Sequence, residues 1–143
     1  MKRTVLKAAC AAALLALAAC SSMPDWMPGS GAIKVNLSGA EEVPPVNAQG
    51  SGSGSFRIAD DGAVSGSVTT TGVAGAAAHI HQAPRGQNGP VIVPLTKSGD
   101  TYSVPEGRKL TPAQVQAFKA GNLYVNVHTA RNKGGEVRGQ LQP

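Results

Sequence analysis

The three histidines of the chain fall in two short segments that have the composition of β-strands. His79 and His81 flank Ile80, and His128 ends the apolar run 123–128. Because side chains alternate between the two faces of a strand, His79 and His81 share one face and Ile80 takes the other. His128 points to the polar side of its own strand by the same alternation. If the two strands are neighbours, three imidazoles meet on the outer face of one sheet.

Three imidazoles, two of them spaced i, i+2 on one strand, predict a three-nitrogen metal site with an open coordination position. The alternative is that all three are surface histidines with no ion bound, and the motif alone does not decide between them. Two neighbours on the polar face are also open to two interpretations. Asn126 either orients an imidazole or is an exposed strand asparagine, and the second is favoured. Tyr124 either covers the site or simply packs beside it.

Strand-forming segments separated by Gly, Pro, Asn and Asp clusters position these histidines. They run over residues 33–37, 54–59, 63–71, 78–81, 91–95, 101–105, 123–128 and 136–141. A single helix is predicted over residues 111–121, with Thr111 as N-cap, Pro112 in the first turn and Gly121 as the stop. Many short strands with one short helix predict an all-β fold, an antiparallel β-sandwich or barrel.

The first 19 residues are predicted to be an export signal that does not belong to the folded domain. Lys2, Arg3 and Lys7 precede an apolar stretch, residues 8–19, that is too short for a stable membrane span. Residues 17–20, Leu-Ala-Ala-Cys, resemble the bacterial lipoprotein signal, which implies lipidation of Cys20. We therefore expect an exported protein anchored through Cys20, on the periplasmic side of the outer membrane or elsewhere in the cell envelope.

Residues 20–31 are rich in Pro, Gly and Ser and predict a tether between the lipid anchor and a single domain, residues 32–143. The tether contains Met23, Trp26 and Met27, which could contact a soft ion such as Cu(I), although a plain spacer is the favoured interpretation.

Without the leader the chain has 10 basic and 8 acidic residues, a net charge of +2. Because no basic block or interleaved aromatic pattern is present, nucleic-acid binding is not indicated. The two cysteines are Cys10 and Cys20, so the domain has none for a disulfide.

Four segments together resemble the CHRD domain, a module first described in the secreted protein chordin and widespread in bacterial exported proteins. These segments are residues 37–46, 78–81, 121–129 and 134–141, and they occur in the family's order. The resemblance as a whole spans Ile33 to Leu141. In chordin these domains belong to an antagonist of growth factors, so the resemblance implies the fold more than a function.

A more distant resemblance is to the copper/zinc superoxide dismutases. It rests on the His-Ile-His strand, the Gly-rich loop ending at Pro90, the Val-Asn-Val-His strand and the late Gly-Glu-Val-Arg-Gly. The resemblance implies a Greek-key sandwich in which His79, His81 and His128 are copper ligands and Arg138 guides an anion to the metal. This chain lacks that family's fourth copper-site histidine, its zinc ligands and its disulfide, so no zinc is expected.

Three functions follow from these features. The first is a lipoprotein that binds and buffers one copper ion, as Cu(I) or Cu(II), through the three histidines. The second is a copper-only, superoxide dismutase-like enzyme in which Arg138 attracts the anion; Arg138 could equally pair with Glu136 or Glu42. The third is a protein-interaction module without metal.

Glu41 and Glu42 could be paired acid-base carboxylates, but the following Pro44-Pro45 favours a structural loop.

Overall fold

The computed structural model describes residues 31–143, which form two antiparallel β-sheets and one short α-helix. The predictions of a signal peptide over residues 1–19, of lipidation at Cys20 and of a tether with Met23, Trp26 and Met27 concern the preceding residues. They lie outside the described part of the chain and stay predictions.

The strands divide between a five-stranded and a four-stranded sheet. The first sheet has the order β1-β2-β3-β7-β6, formed by Ile33–Leu37, Ser51–Ile58, Val64–Thr71, Thr101–Ser103 and Thr96–Ser98, respectively. The second has the order β5-β4-β8-β9, formed by Val91–Pro94, Gly75–Gln82, Leu123–Thr129 and Val137–Leu141, respectively.

The connections from β3 to β4, from β5 to β6 and from β7 to β8 all pass from one sheet to the other. This places β3 beside β7 and β4 beside β8, so strands that are distant in sequence become neighbours. The predicted all-β sandwich is confirmed, and the described strands do not close into a barrel. Ser38 and Arg138 join β1 to β9 at one corner, each donating its backbone N–H to the other's carbonyl oxygen at 3.0 Å.

Among the differences from the sequence prediction are the start of β4 and the presence of β6. The strand β4 begins at Gly75 and not at residue 78, because the small residues 75–77 pair with β8 through a β-bulge. The strand β6 was not predicted, since its residues are polar and fully exposed and show no alternation of apolar and polar side chains.

The core lies between the two sheets and takes the aliphatic residues that alternate with the histidines. Ala78, Ile80 and Val127 are each no more than 1% exposed. They pack with residues of the first sheet and of the helix, including Val35, Leu37, Phe56, Val68, Tyr102, Val115 and Phe118. The outward direction of His79, His81 and His128 therefore follows from burial of their neighbours.

The helix α1, Pro112–Lys119, closes one end of the sandwich with Val115 and Phe118. Thr111 is its N-cap and forms a capping box with Gln114, and Gly121 follows the helix with a φ of +72°, as the sequence predicts.

Phe118 also lines a groove that contains both ends of the domain, residues 31–34 and residues 142–143. Within residues 31–143, no helix has the length and apolar character needed to span a bilayer.

Candidate metal centre

The three histidines lie together on the outer face of the second sheet. His79 and His81 are on β4, and the pairing of Ala77 with His128 aligns them with β8. Nitrogen atoms of the three rings lie within 4.8 Å of one another. Two imidazole nitrogens bound to one ion at about 2 Å each are separated by about 3.3 Å, so the cluster has the size of a metal site. These three residues could hold a metal ion.

Backbone carbonyls fix the tautomers of two of the rings. The Nδ1 atom of His81 lies 2.9 Å from the carbonyl oxygen of Gly89, and the Nδ1 atom of His128 lies 2.9 Å from that of Lys133. Since a carbonyl oxygen can only accept, each Nδ1 carries the hydrogen and donates it. In the neutral rings, Nε2 is then the atom with the free lone pair, which is the form that binds a metal.

The lone pairs fixed in this way are directed into the cluster. The Nε2 atom of His128 lies 3.0 Å from Nδ1 of His79. The Nε2 atom of His81 is buried and has no hydrogen-bond partner. An unpaired buried polar atom costs about 1–3 kcal/mol, and a cation held by the three rings would give this nitrogen a partner. The donor set therefore fits a metal ion.

The electrostatics of the cluster favour the neutral forms of His79 and His81. Burial lowers the pKa of His79 below its usual value, and the neighbouring His128 and His81 lower it further. Burial also lowers the pKa of His81, although the hydrogen bond to Gly89 partly offsets the change. Neutral rings at neutral pH do not require a proton to be displaced before an ion binds.

Behind the cluster, three planar groups form a stack. The ring of Tyr124 lies parallel to the ring of His81, with 4.7 Å between centroids and 6° between planes. The guanidinium carbon of Arg138 lies 3.4 Å from the centroid of the Tyr124 ring. Arg138 is 1% exposed and Tyr124 is 2% exposed. Tyr124 thus both covers the site and packs there, and Arg138 shares the histidine face but is buried.

A loop over residues 83–90, here called the covering loop, lies across this stack. Arg138 donates from Nη2 to the carbonyl oxygen of Gln87 at 2.9 Å and from Nη1 to Oδ1 of Asn88 at 3.3 Å. The backbone N–H of Gly89 donates to the hydroxyl oxygen of Tyr124 at 3.2 Å. Because Gly89 also accepts from His81, Arg138 and Tyr124 hold the loop that orients a candidate ligand.

Asn126 is where the sequence interpretation was wrong. The favoured interpretation was an exposed strand asparagine, but Asn126 is 2% exposed. Its Nδ2 donates to the carbonyl oxygen of Gly134 at 3.3 Å, and its Oδ1 is buried without a partner. The reason is that the turn after β8 and the loop containing Glu42 cover this part of the outer face.

Glu42 is the charged group that the sequence analysis did not connect with the histidine face. It is 4% exposed, and burial raises the pKa of Glu42 from 4.5 to about 7, although Arg138 and Asn126 oppose the increase. Its neighbour Glu41 ends a short 3-10 helix, Gly39–Glu41, and pairs with Arg85 at the surface. The two carboxylates therefore do not act as a pair, which agrees with the interpretation of this segment as a structural loop.

Comparison with known proteins identifies the family of the domain. No curated protein and no solved structure matches the chain. The family model of the CHRD domain matches residues 33–141, the same span as the sandwich that carries the histidine cluster. The chain belongs to the CHRD domain family.

Proposed function

We propose that this CHRD domain binds one copper ion through His79, His81 and His128 and holds it outside the cytoplasm. The observation that carries the proposal is the cluster itself, in which ligand nitrogens of three imidazoles lie within 4.8 Å of one another and two rings are held by backbone carbonyl oxygens. Hydrogen bonds from His81 and His128 to carbonyl oxygens prepare two of the rings to act as ligands through Nε2.

Copper is the ion that suits this donor set best. Imidazole nitrogens suit several divalent metals, and Cu(II) lies at the top of their affinity order, while a site of few neutral donors also suits Cu(I). The cluster contains no carboxylate or thiolate. Such ligands would favour harder ions or structural zinc, respectively.

The lipoprotein signal at residues 17–20 supports a place for this site in the cell envelope. With Cys20 lipidated, the tether would hold the domain at a membrane surface, and the bound ion would be buffered there. A Cys20→Ser variant is expected to move from the membrane fraction to the soluble fraction or to remain unprocessed. If the variant is processed to the same mature size and still distributes like the unaltered protein, the lipid anchor is excluded.

Metal titration of the purified protein tests the copper proposal directly. Cu(I), Cu(II) and Zn(II) are each titrated in competition with a chromophoric chelator. The comparison is with a variant in which all three histidines are alanine. We expect one equivalent of copper to bind to the unaltered protein, more tightly than zinc, and none to bind specifically to the variant.

A matched control variant keeps the histidines and changes three exposed residues of the other sheet, Ser65, Thr69 and Thr71, to alanine. It is expected to bind copper like the unaltered protein. If the all-histidine variant binds copper as tightly as the control, the proposed site is wrong and the domain is an interaction module instead. Preference for zinc would retain the site but overturn the choice of ion.

A superoxide dismutase-like activity is the second candidate function. It would require Arg138 to be accessible to the substrate anion. Attraction of an anion requires a charge that the anion can approach, whereas Arg138 is 1% exposed beneath the covering loop. Its contacts support a role in positioning Tyr124 and the loop, so copper binding is the function that we prefer. Measuring superoxide dismutation with the copper-loaded protein decides between the two.

A further inference from the structure

Arg138 is a buried cation without a carboxylate partner in the described part of the chain. Its guanidinium donates to the carbonyl oxygen of Gln87 and to the side-chain oxygens of Asn88 and Gln140, all of which are neutral. The ion pairs among residues 31–143 are Arg85–Glu41, Lys109–Asp61 and Lys119–Asp60, and none involves Arg138. These hydrogen bonds are all made to neutral oxygens, so the charge of Arg138 is not neutralised by direct contact.

This charge lies close to the histidine cluster, in a place from which water is largely excluded. The guanidinium carbon is 3.4 Å from the Tyr124 centroid, and that centroid is 4.7 Å from the centroid of His81. The guanidinium carbon therefore lies no more than about 8 Å from the centre of the His81 imidazole. Tyr124, at 2% exposed, fills the space between them and limits screening by solvent.

The donor atoms of the cluster do nothing to offset this charge. All three are imidazole nitrogens, and histidine binds a metal ion as the neutral imidazole. Glu42 is a buried carboxyl group that interacts with Arg138 through space, but it makes no ion pair with Arg138 and does not neutralise its charge by direct contact. An ion that enters the cluster therefore meets neutral ligands and a nearby fixed positive charge.

We infer that Arg138 makes the three-histidine site selective for Cu(I) over Cu(II) by placing a fixed positive charge behind the His81–Tyr124 stack. The inference rests on the proposed copper-binding function and names the oxidation state that the site holds. Arg138 is not a ligand; it acts on the bound ion through space. Cu(II) carries one more unit of positive charge than Cu(I). At roughly 10–12 Å from the guanidinium and an effective dielectric constant of about 20, repulsion of that extra charge weakens the binding of Cu(II) about tenfold relative to Cu(I).

Two substitutions separate the charge of Arg138 from its hydrogen bonds. Arg138→Gln removes the charge, whereas Arg138→Lys keeps the charge but loses the planar fork that binds Gln87 and Asn88. Dissociation constants for Cu(I) and Cu(II) are measured on the full chain with competing chelators, and their ratio is checked against the reduction potential. We expect the glutamine variant to shift the ratio about tenfold toward Cu(II), which is about 59 mV lower in potential for one electron.

The lysine variant is expected to keep the Cu(I) to Cu(II) ratio of the unaltered protein, even if both affinities fall. A third variant, Asn88→Asp, keeps Arg138 and places a carboxylate beside its guanidinium, at the position of an oxygen now 3.3 Å away, and it loses only the exposed hydrogen bond from Asn88 to the carbonyl oxygen of Val43. It should shift the ratio in the same direction as Arg138→Gln. It also provides the test if the glutamine variant does not fold.

The possible failures are distinguishable. If the unaltered protein binds copper but all variants share its ratio, the inference is overturned and the proposed function stands. Equal shifts in the lysine and glutamine variants would show that the geometry of the covering loop, and not charge, sets the preference. No copper binding by the unaltered protein would overturn the proposed function itself, and this inference with it.

Discussion

Replacing Glu42 with glutamine is expected to stabilise the metal-free protein at alkaline pH, although the residue is buried. Burial raises the pKa of Glu42 from 4.5 to about 7. A folded-state pKa above the unfolded value means that the folded protein binds the proton more tightly. The free energy of unfolding therefore falls as the pH rises from about 4.5, and the loss is complete above about 7.

The size of the effect follows from the same two values. Each unit of difference in pKa corresponds to about 1.4 kcal/mol, so ionisation of Glu42 costs the folded state about 3 kcal/mol at pH 8. Glutamine is neutral at every pH and keeps an oxygen and a donor of similar size. We expect Glu42→Gln to be close to the unaltered protein in stability at pH 5 and about 3 kcal/mol more stable at pH 8.

Urea unfolding from pH 5 to pH 9, with chelator present, measures this difference. The lowered pKa values of His79 and His81 act in the opposite direction, since their stabilising contribution is present above pH 6.5 and lost as the pH falls through the lowered values. Both proteins share that background, so subtracting the two curves isolates Glu42. Glu106→Gln, at an exposed position, is the control for loss of a carboxylate.

The result that refutes this reasoning is a Glu42→Gln variant that is less stable than the unaltered protein at pH 8 and equal to it at pH 5. The ionised form of Glu42 would then stabilise the folded state instead of destabilising it. The attraction between Glu42 and Arg138 would outweigh the cost of burial. In that case the fixed charge of Arg138 would also be compensated, which would weaken the inferred preference for Cu(I).

Three further predictions concern single contacts. Thr111→Ala removes the N-cap of the helix and should lower the free energy of unfolding by about 1 kcal/mol, as measured in urea; an unchanged value would mean that the cap is unimportant. Tyr124→Phe leaves the N–H of Gly89 without its acceptor and should cost about 1 kcal/mol, with faster amide exchange at that residue; retained protection would contradict the contact. At Gly89, an alanine Cβ would collide with the backbone of Gln82, so Gly89→Ala should displace the covering loop and weaken copper binding. Full affinity in that variant would show that the loop does not orient the site.

The grouping of the histidines could be predicted from the sequence because it depends on alternation alone. Once Ile80 and Val127 enter the core, His79, His81 and His128 must point outward, whatever surrounds them. The turn and capping residues Thr111 and Gly121 were equally informative, since each satisfies a local backbone requirement. These features need no knowledge of distant contacts.

The surroundings of the histidines could not be predicted in the same way. Alternation indicates which face a side chain takes, but not whether loops cover that face, and so the burial of Asn126 was missed. The raised pKa of Glu42 arises from burial, and the two contacts that oppose the increase, with Arg138 and Asn126, also lie far along the chain. The carbonyl oxygens of Gly89 and Lys133 carry no signal in residue type, because every residue has one.

The groove that contains both ends of the domain has a consequence for how this unit can be joined to others. Residues 31–34 and residues 142–143 line the same groove, so the chain enters and leaves on one side. A short linker could connect these ends. The same closeness lets the sandwich be inserted into a loop of a host protein, or repeated along a chain, with little strain on either partner.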